Sequence, residues 1–175
     1  LKEYVAHPAD MCFKLPENMS TEEGALVEPL AVGLHATALG GVGLGSDVLI
    51  LGGGCIGLVT LLSAKARGAS RIVVVDLYEK RLNMAKEMGA TEVINAQKEN
   101  VAERVEELFD GKGVDFVFET AGAIATIQQT PYYVKKGGTI VLVGMAAESM
   151  ANYNFSQAMV KEITIKTVFR YINLN

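Results

Sequence analysis

The residues with the clearest chemical meaning are Gly52-Gly53-Gly54-Cys55-Ile56-Gly57, which place Gly52, Gly54 and Gly57 in a G-x-G-x-x-G arrangement. The string is common in a chain with 18 glycines, so its surroundings decide its meaning. The apolar run Val48-Leu49-Ile50-Leu51 leads straight into it, and a helical stretch to Arg67 leaves it. In that context Gly52 permits the tight turn, Gly54 lets a pyrophosphate approach the backbone, and Gly57 lets helix and strand pack closely. The free N–H groups and dipole at the helix start then favour the phosphates. Asp76 closes the next apolar run, where the fingerprint expects an acid for the adenosine ribose hydroxyls. A carboxylate there repels a 2′-phosphate and so favours NAD over NADP. Lys80 and Arg81, just beyond, are cations that could instead accept that phosphate.

These residues need a scaffold, and the rest of the chain supplies one by alternation. Residues 1–20, with Pro8 and Pro16, read as irregular or short extended structure. Ser20 and Thr21 ahead of Glu23 form a capping signal for a helix over about 21–39, interrupted near Glu28-Pro29 and ended by Gly40-Gly41. Strands are expected at 48–51, 71–75, 92–94, 114–118, 139–143 and 163–168, with helices at 78–88, 100–109 and 123–134 between them. Strands alternating with helices imply right-handed crossovers and a parallel sheet. The expected fold is therefore α/β, a doubly wound, three-layer Rossmann sheet. Half the residues are hydrophobic and only 7% aromatic, which suits a parallel sheet covered on both faces.

Composition also narrows the partners. A net charge of −4 with both signs intermixed speaks against a nucleic-acid or anionic-membrane footprint. Cys12 and Cys55 lie far apart without a C-x-x-C pattern, so neither a disulfide framework nor a cysteine zinc cluster is expected, and a cytoplasmic location fits. No apolar run is long enough to span a bilayer. The start Leu1-Lys2-Glu3-Tyr4 has no initiator Met and no signal pattern, as a piece of a longer protein would.

Several stretches together resemble a known family. The run from Glu23 to Ala36, with Glu28-Pro29-Leu30 inside it, is similar to zinc-dependent medium-chain dehydrogenases, nearest to their sorbitol and xylitol dehydrogenase branch. His7-Pro8-Ala9-Asp10, the Gly52 loop, Val141-Leu142-Val143-Gly144 and Val168-Phe169-Arg170-Tyr171 agree, in the right order along nearly the whole chain. The Glu-Pro-Leu and Phe-Arg-Tyr elements carry the polyol assignment; the glycine loop does not.

The resemblance implies roles for particular residues. Glu28 matches an acid at the catalytic zinc, acting on the metal or through its bound water. Arg170 and Tyr171 match a pair that reaches the polyol and cofactor. Ile56, Asp76 and Arg81 match cofactor contacts, as do the segments Val143-Gly144-Met145 and Val168-Phe169-Arg170. It further implies an NAD-dependent oxidation of a sugar alcohol to a ketose by hydride transfer, a homo-oligomer, and residues 1–20 as the tail of a preceding catalytic domain, with 21–175 forming the NAD-binding domain, truncated at its C-terminus. The family's other zinc ligands, a Cys and a Gly-His-Glu segment, have no counterpart here, since His7 and His35 are the only histidines. The piece alone is therefore expected to be inactive. A threonine or butanediol dehydrogenase shares the scaffold and is the nearest rival, and a non-catalytic NAD-binding module is the rival of another class. His35, inside a helix, reads as a packed residue and Cys55 as filler beside the helix start.

Overall fold

The crevice that matters lies along the carboxyl edge of a single parallel sheet, in a computed structural model describing residues 2–171. Six strands, β1 (Asp47–Leu51), β2 (Arg71–Asp76), β3 (Glu92–Asn95), β4 (Val114–Glu119), β5 (Val134–Leu142) and β6 (Thr164–Thr167), lie in the order β3-β2-β1-β4-β5-β6. Every pairing is parallel. The order reverses between β1 and β4, which is where a doubly wound sheet opens a crevice for ligands. The expected α/β Rossmann architecture is what the chain adopts.

Alternation along each strand builds the two outer layers. Val48 and Ile50 of β1, with Ile72 and Val74 of β2, face Ala36, Leu61, Ala64 and Ala85. These come from helices α1 (Thr21–Gly40), α2 (Cys55–Ala66) and α3 (Glu79–Met88). Leu49 and Leu51, with Val73 and Val75, face Val105 and Tyr133 on the opposite side. Those belong to α4 (Val101–Leu108) and α5 (Ile124–Tyr133).

The expected interruption of α1 at Glu28-Pro29 does not occur: the helix runs unbroken from Thr21 to Gly40 with Pro29 inside it. Pro29 removes the hydrogen bond that would reach Ala25, but Ala25 is exposed, so its carbonyl is not a buried unpaired group. Packing further along holds the helix straight onto the domain. Gly33 sits so close to α2 that an added Cβ would lie 2.7 Å from the Val59 carbonyl oxygen. The start of α1 is as expected, with Ser20 and Glu23 forming a reciprocal capping box.

Two further differences are local. β5 begins at Val134, not Thr139, directly from the end of α5. Val134 pairs with Val114 ahead of a register shift, so the Lys135-to-Gly138 segment is an irregular part of the strand rather than a turn. A short helix α6 (Phe155–Val160), capped by Asn154, was not expected. Ahead of α1, residues 2–20 are irregular apart from a 3-10 turn at Ala9–Met11 and a turn in which Met19 N–H donates to Pro16 O at 3.0 Å. No described helix is long and apolar enough to cross a membrane.

Candidate functional site

The glycine loop leaves β1 at the centre of the carboxyl edge and enters α2. Gly52 takes φ of 107°, and an added Cβ would lie 2.9 Å from Ala121 N, so a side chain is excluded both by conformation and by space. A Cβ at Gly57 would fall 1.8 Å from the Gly52 carbonyl oxygen. Gly54 is different: its added Cβ would meet no atom within 4 Å. Two of the three glycines thus close the turn upon itself, and the middle one leaves open space above the helix start. Gly54 is the N-cap of α2 and no side chain caps that helix, so its first N–H groups are left for a ligand. Ile56 is half-buried within this first turn, and its carbonyl accepts the Thr60 hydroxyl at 2.7 Å. Cys55 is exposed at the helix start.

Asp76 ends β2 beside the loop and is 7% exposed. Its Oδ2 accepts the Gly53 N–H at 2.7 Å, and its Oδ1 accepts the Tyr78 N–H at 2.9 Å. The Arg81 guanidinium lies 3.4 Å from Oδ2 and is half-exposed, resting over the Tyr78 ring. The sequence-expected trio of loop, Asp76 and Arg81 therefore forms one cluster, with the carboxylate bracing the loop. A cleft of about 630 Å³ adjoins it on the α1–α2 side, lined mainly by apolar side chains such as Leu26, Leu30, Leu58 and Met88 together with Gly54 and Arg81.

On the other side of the switch point, Val143 and Gly144 follow β5, and both of their N–H groups donate to the Glu119 carbonyl. Met145 comes next, with its side chain exposed. Val168 follows β6 and donates its N–H to Leu142 O at 2.9 Å. Phe169 and Arg170 then project into solvent, with the guanidinium 5.4 Å from the Phe169 ring centroid. Arg170 takes φ of 60°, a conformation that non-glycine residues seldom hold and that is concentrated at functional positions. Tyr171 is partly exposed at the end of the described residues.

Glu28 stands apart. It is exposed on α1 and, among the described residues, has no side-chain hydrogen-bond or ion-pair partner. Among the described residues, no three His, Cys, Asp or Glu side chains gather to hold a metal. Zinc therefore does not fit these residues by themselves, and Glu28 offers one carboxylate at most. The dinucleotide does fit, on the open space at Gly54 and the uncapped start of α2.

Sequence reasoning missed Glu119 and Thr120, at the end of β4. Glu119 is fully buried, and Thr120 joins the two halves of the crevice through its hydroxyl, 3.0 Å from both Leu51 O and Gly52 O. The available signal was an acid ending the apolar run Val114-Asp115-Phe116-Val117-Phe118-Glu119 ahead of Thr120-Ala121-Gly122.

Fold and loop together define a dinucleotide-binding domain of the doubly wound class. Comparison with known proteins sharpens the class to a family: the model described as zinc-binding dehydrogenase matches residues 55–173, and the chain belongs to that family. Rat sorbitol dehydrogenase is 47% identical over 173 residues, covering 97% of this chain and 48% of its own. The crystal structure of an Escherichia coli oxidoreductase/dehydrogenase of unknown specificity superposes with a TM-score of 0.91 at 50% identity, over 95% of this chain and 48% of that one. A putative zinc-binding dehydrogenase of Sinorhizobium meliloti bound to NADP superposes with a TM-score of 0.89 at 31% identity, over 94% and 49% of the two chains. The chain thus spans about half the length of the relatives it matches.

Proposed function

We propose that this chain is the cofactor-binding half of an NAD-dependent polyol dehydrogenase, oxidising a sugar alcohol to a ketose. The observation that carries the cofactor choice is Asp76. It is the acid at the end of β2, held beside the glycine loop by the Gly53 and Tyr78 amides. A ribose bearing free 2′- and 3′-hydroxyls can donate to its remaining lone pairs, whereas a 2′-phosphate meets a like charge. The polyol assignment is supported by sorbitol dehydrogenase among the relatives and by Phe169-Arg170-Tyr171 at the ligand-binding edge.

When bound, the dinucleotide would accept a hydride from the alcohol carbon. This chain's own residues would do the holding. The start of α2 receives the pyrophosphate, and Asp76 orients the adenosine ribose. Ile56 and Arg81 contact the adenosine half, and the Val143–Met145 and Val168–Arg170 segments bound the other half. Arg170 and Tyr171, beyond the end of β6, would hold substrate hydroxyls, and Glu28 would serve a metal whose other ligands lie outside this chain. The protein is proposed to act in the cytoplasm as a homo-oligomer.

One observation favours NADP instead: Arg81 is half-exposed and only 3.4 Å from Asp76, within reach of a 2′-phosphate. Calorimetric titration with NAD and NADP separates the readings. Saturable NAD binding, tighter than NADP and weakened about tenfold or more by Asp76→Ala, is the expected result. Tighter NADP binding would transfer the assignment to Arg81.

A further inference from the structure

The fully buried Glu119 is a group that no part of this reading uses. It ends β4, next to β1 and across the switch point from Asp76. Burial of a carboxyl group is costly unless its oxygens are satisfied. Among the described residues they are satisfied by neutral donors. Oε1 accepts the N–H groups of Ala121 and Gly122, each at 3.0 Å, and the Thr126 hydroxyl at 2.7 Å. Oε2 is 3.2 Å from the Gly122 N–H. The same residue's carbonyl oxygen accepts the N–H groups of Val143 and Gly144, at 2.8 and 2.9 Å.

One residue thereby clasps two loops. The turn after β4 is gathered by its side chain and the turn after β5 by its backbone. The two turns then touch: an added Cβ at Gly144 would lie 2.7 Å from Glu119 Oε2 and 2.7 Å from Gly122 Cα, and one at Gly122 would lie 2.5 Å from Met145 O. Thr120, the next residue, ties this assembly to the glycine loop through Leu51 O and Gly52 O. The result is a continuous backbone wall on the β4–β5 side of the crevice. A dinucleotide lying across a switch point places one nucleotide on each half of the sheet. With the adenosine half at Asp76, the nicotinamide half falls on this wall.

We infer that Glu119 is a positioning residue for the nicotinamide half of the cofactor, acting through the Ala121–Gly122 and Val143–Gly144 turns without touching the ligand. The inference rests on the dinucleotide reading above. Glu119→Gln is the measured perturbation. The amide keeps an acceptor at Oε1 but puts an N–H₂ where Oε2 faces the Gly122 N–H, donor against donor. The turns must shift while the buried volume is kept. Thr126→Val removes a single donor from the same carboxylate, and Thr126→Ser restores it. These threonine variants carry the test if the glutamine protein does not fold.

The experiment titrates the full 175-residue chain with NAD and with ADP-ribose, which lacks the nicotinamide. Expected is that the parent binds NAD tighter than ADP-ribose, and that Glu119→Gln weakens NAD about tenfold while leaving ADP-ribose within about twofold. Thr126→Val follows in the same direction, and Thr126→Ser returns to the parental ratio. The inference is overturned if both ligands weaken together, if neither weakens, or if the parent binds both equally, since Glu119 then serves the fold alone. A parent that binds ADP-ribose still upholds the dinucleotide reading in each of those cases. A parent that binds neither ligand overturns that reading as well as the inference.

Discussion

Replacing Gly57 and Gly54 one at a time by alanine separates the two jobs of the glycine loop. At Gly57 the new methyl carbon would lie 1.8 Å from the Gly52 carbonyl oxygen and 3.0 Å from Thr120 Oγ1. Non-bonded carbon contacts settle near about 3.5 Å, so loop and helix must part by more than about 1 Å. The loop is poorly able to yield, because Gly52 N donates to Val75 O at 2.8 Å and Gly52 O accepts the Thr120 hydroxyl at 3.0 Å. Overpacking against backbone costs about 1–3 kcal/mol, and the upper end applies here because the obstacle is not a flexible side chain. For a chain of this size that is a fall in Tm of about 5–10 °C.

Gly54→Ala makes the opposite prediction. Its backbone, at φ −73° and ψ −173°, is open to any residue, and the methyl group would meet nothing within 4 Å. Loss of a favourable N-cap and gain from a stiffer unfolded chain offset each other within about 1 kcal/mol. The methyl nevertheless fills the space left for the pyrophosphate, so NAD affinity is expected to fall about tenfold or more with Tm almost unchanged. Thermal unfolding by circular dichroism and calorimetric NAD titration read the two effects. The reasoning is refuted if Gly57→Ala melts with the parent, or if Gly54→Ala binds NAD as the parent does.

Other expectations follow from the same structure. Burial pushes the Tyr133 hydroxyl up from 10.0 to about 12. A raised acid pKa leaves stability complete below about pH 10 and removes it as pH rises toward 12, by up to about 2–3 kcal/mol. Urea unfolding at about pH 9 and pH 11.5 should show Tyr133→Phe losing less stability than the parent over that interval, whereas parallel losses would contradict the assignment. Lys161 Nζ donates to the carbonyls of Pro131, Tyr132 and Val134, closing the end of α5. Lys161→Met is expected to cost about 1–3 kcal/mol in chemical denaturation; no change would mean that water replaces the ammonium fully. Arg81→Ala should leave Tm within about 2 °C, since an ion pair with an exposed partner contributes little. In the same variant NADP binding should drop more than NAD binding, and the reverse order would remove Arg81 from the phosphate side.

How much of this could be read from the sequence depended on whether the signal was local. β1, the glycine loop and α2 follow one another without a break, so apolar run, turn glycines and helix were legible together. Asp76 was legible because it ends an apolar run at the fingerprint distance. The continuity of α1 through Pro29 was not, because it rests on the approach of Gly33 to Val59, a contact between helices. The early start of β5 depends on Val134 pairing with Val114 in another strand. Glu119 was missed for a related reason: its partners lie in two turns that only the sheet brings together. Phe169, Arg170 and Tyr171 came from resemblance alone, and in the structure they follow β6 at the carboxyl edge of the sheet.

In the proposed complex a dinucleotide lies across the switch point, from Asp76 over the Gly54 opening to the turns after β4 and β5. Backbone amide shifts in an NMR titration with NAD test it directly. Saturable shifts are expected at the start of α2, at Asp76 and Tyr78, and at Ala121–Gly122 and Val143–Met145 together. Saturable shifts confined to one half of the sheet, or none at the Gly54 turn, would contradict it.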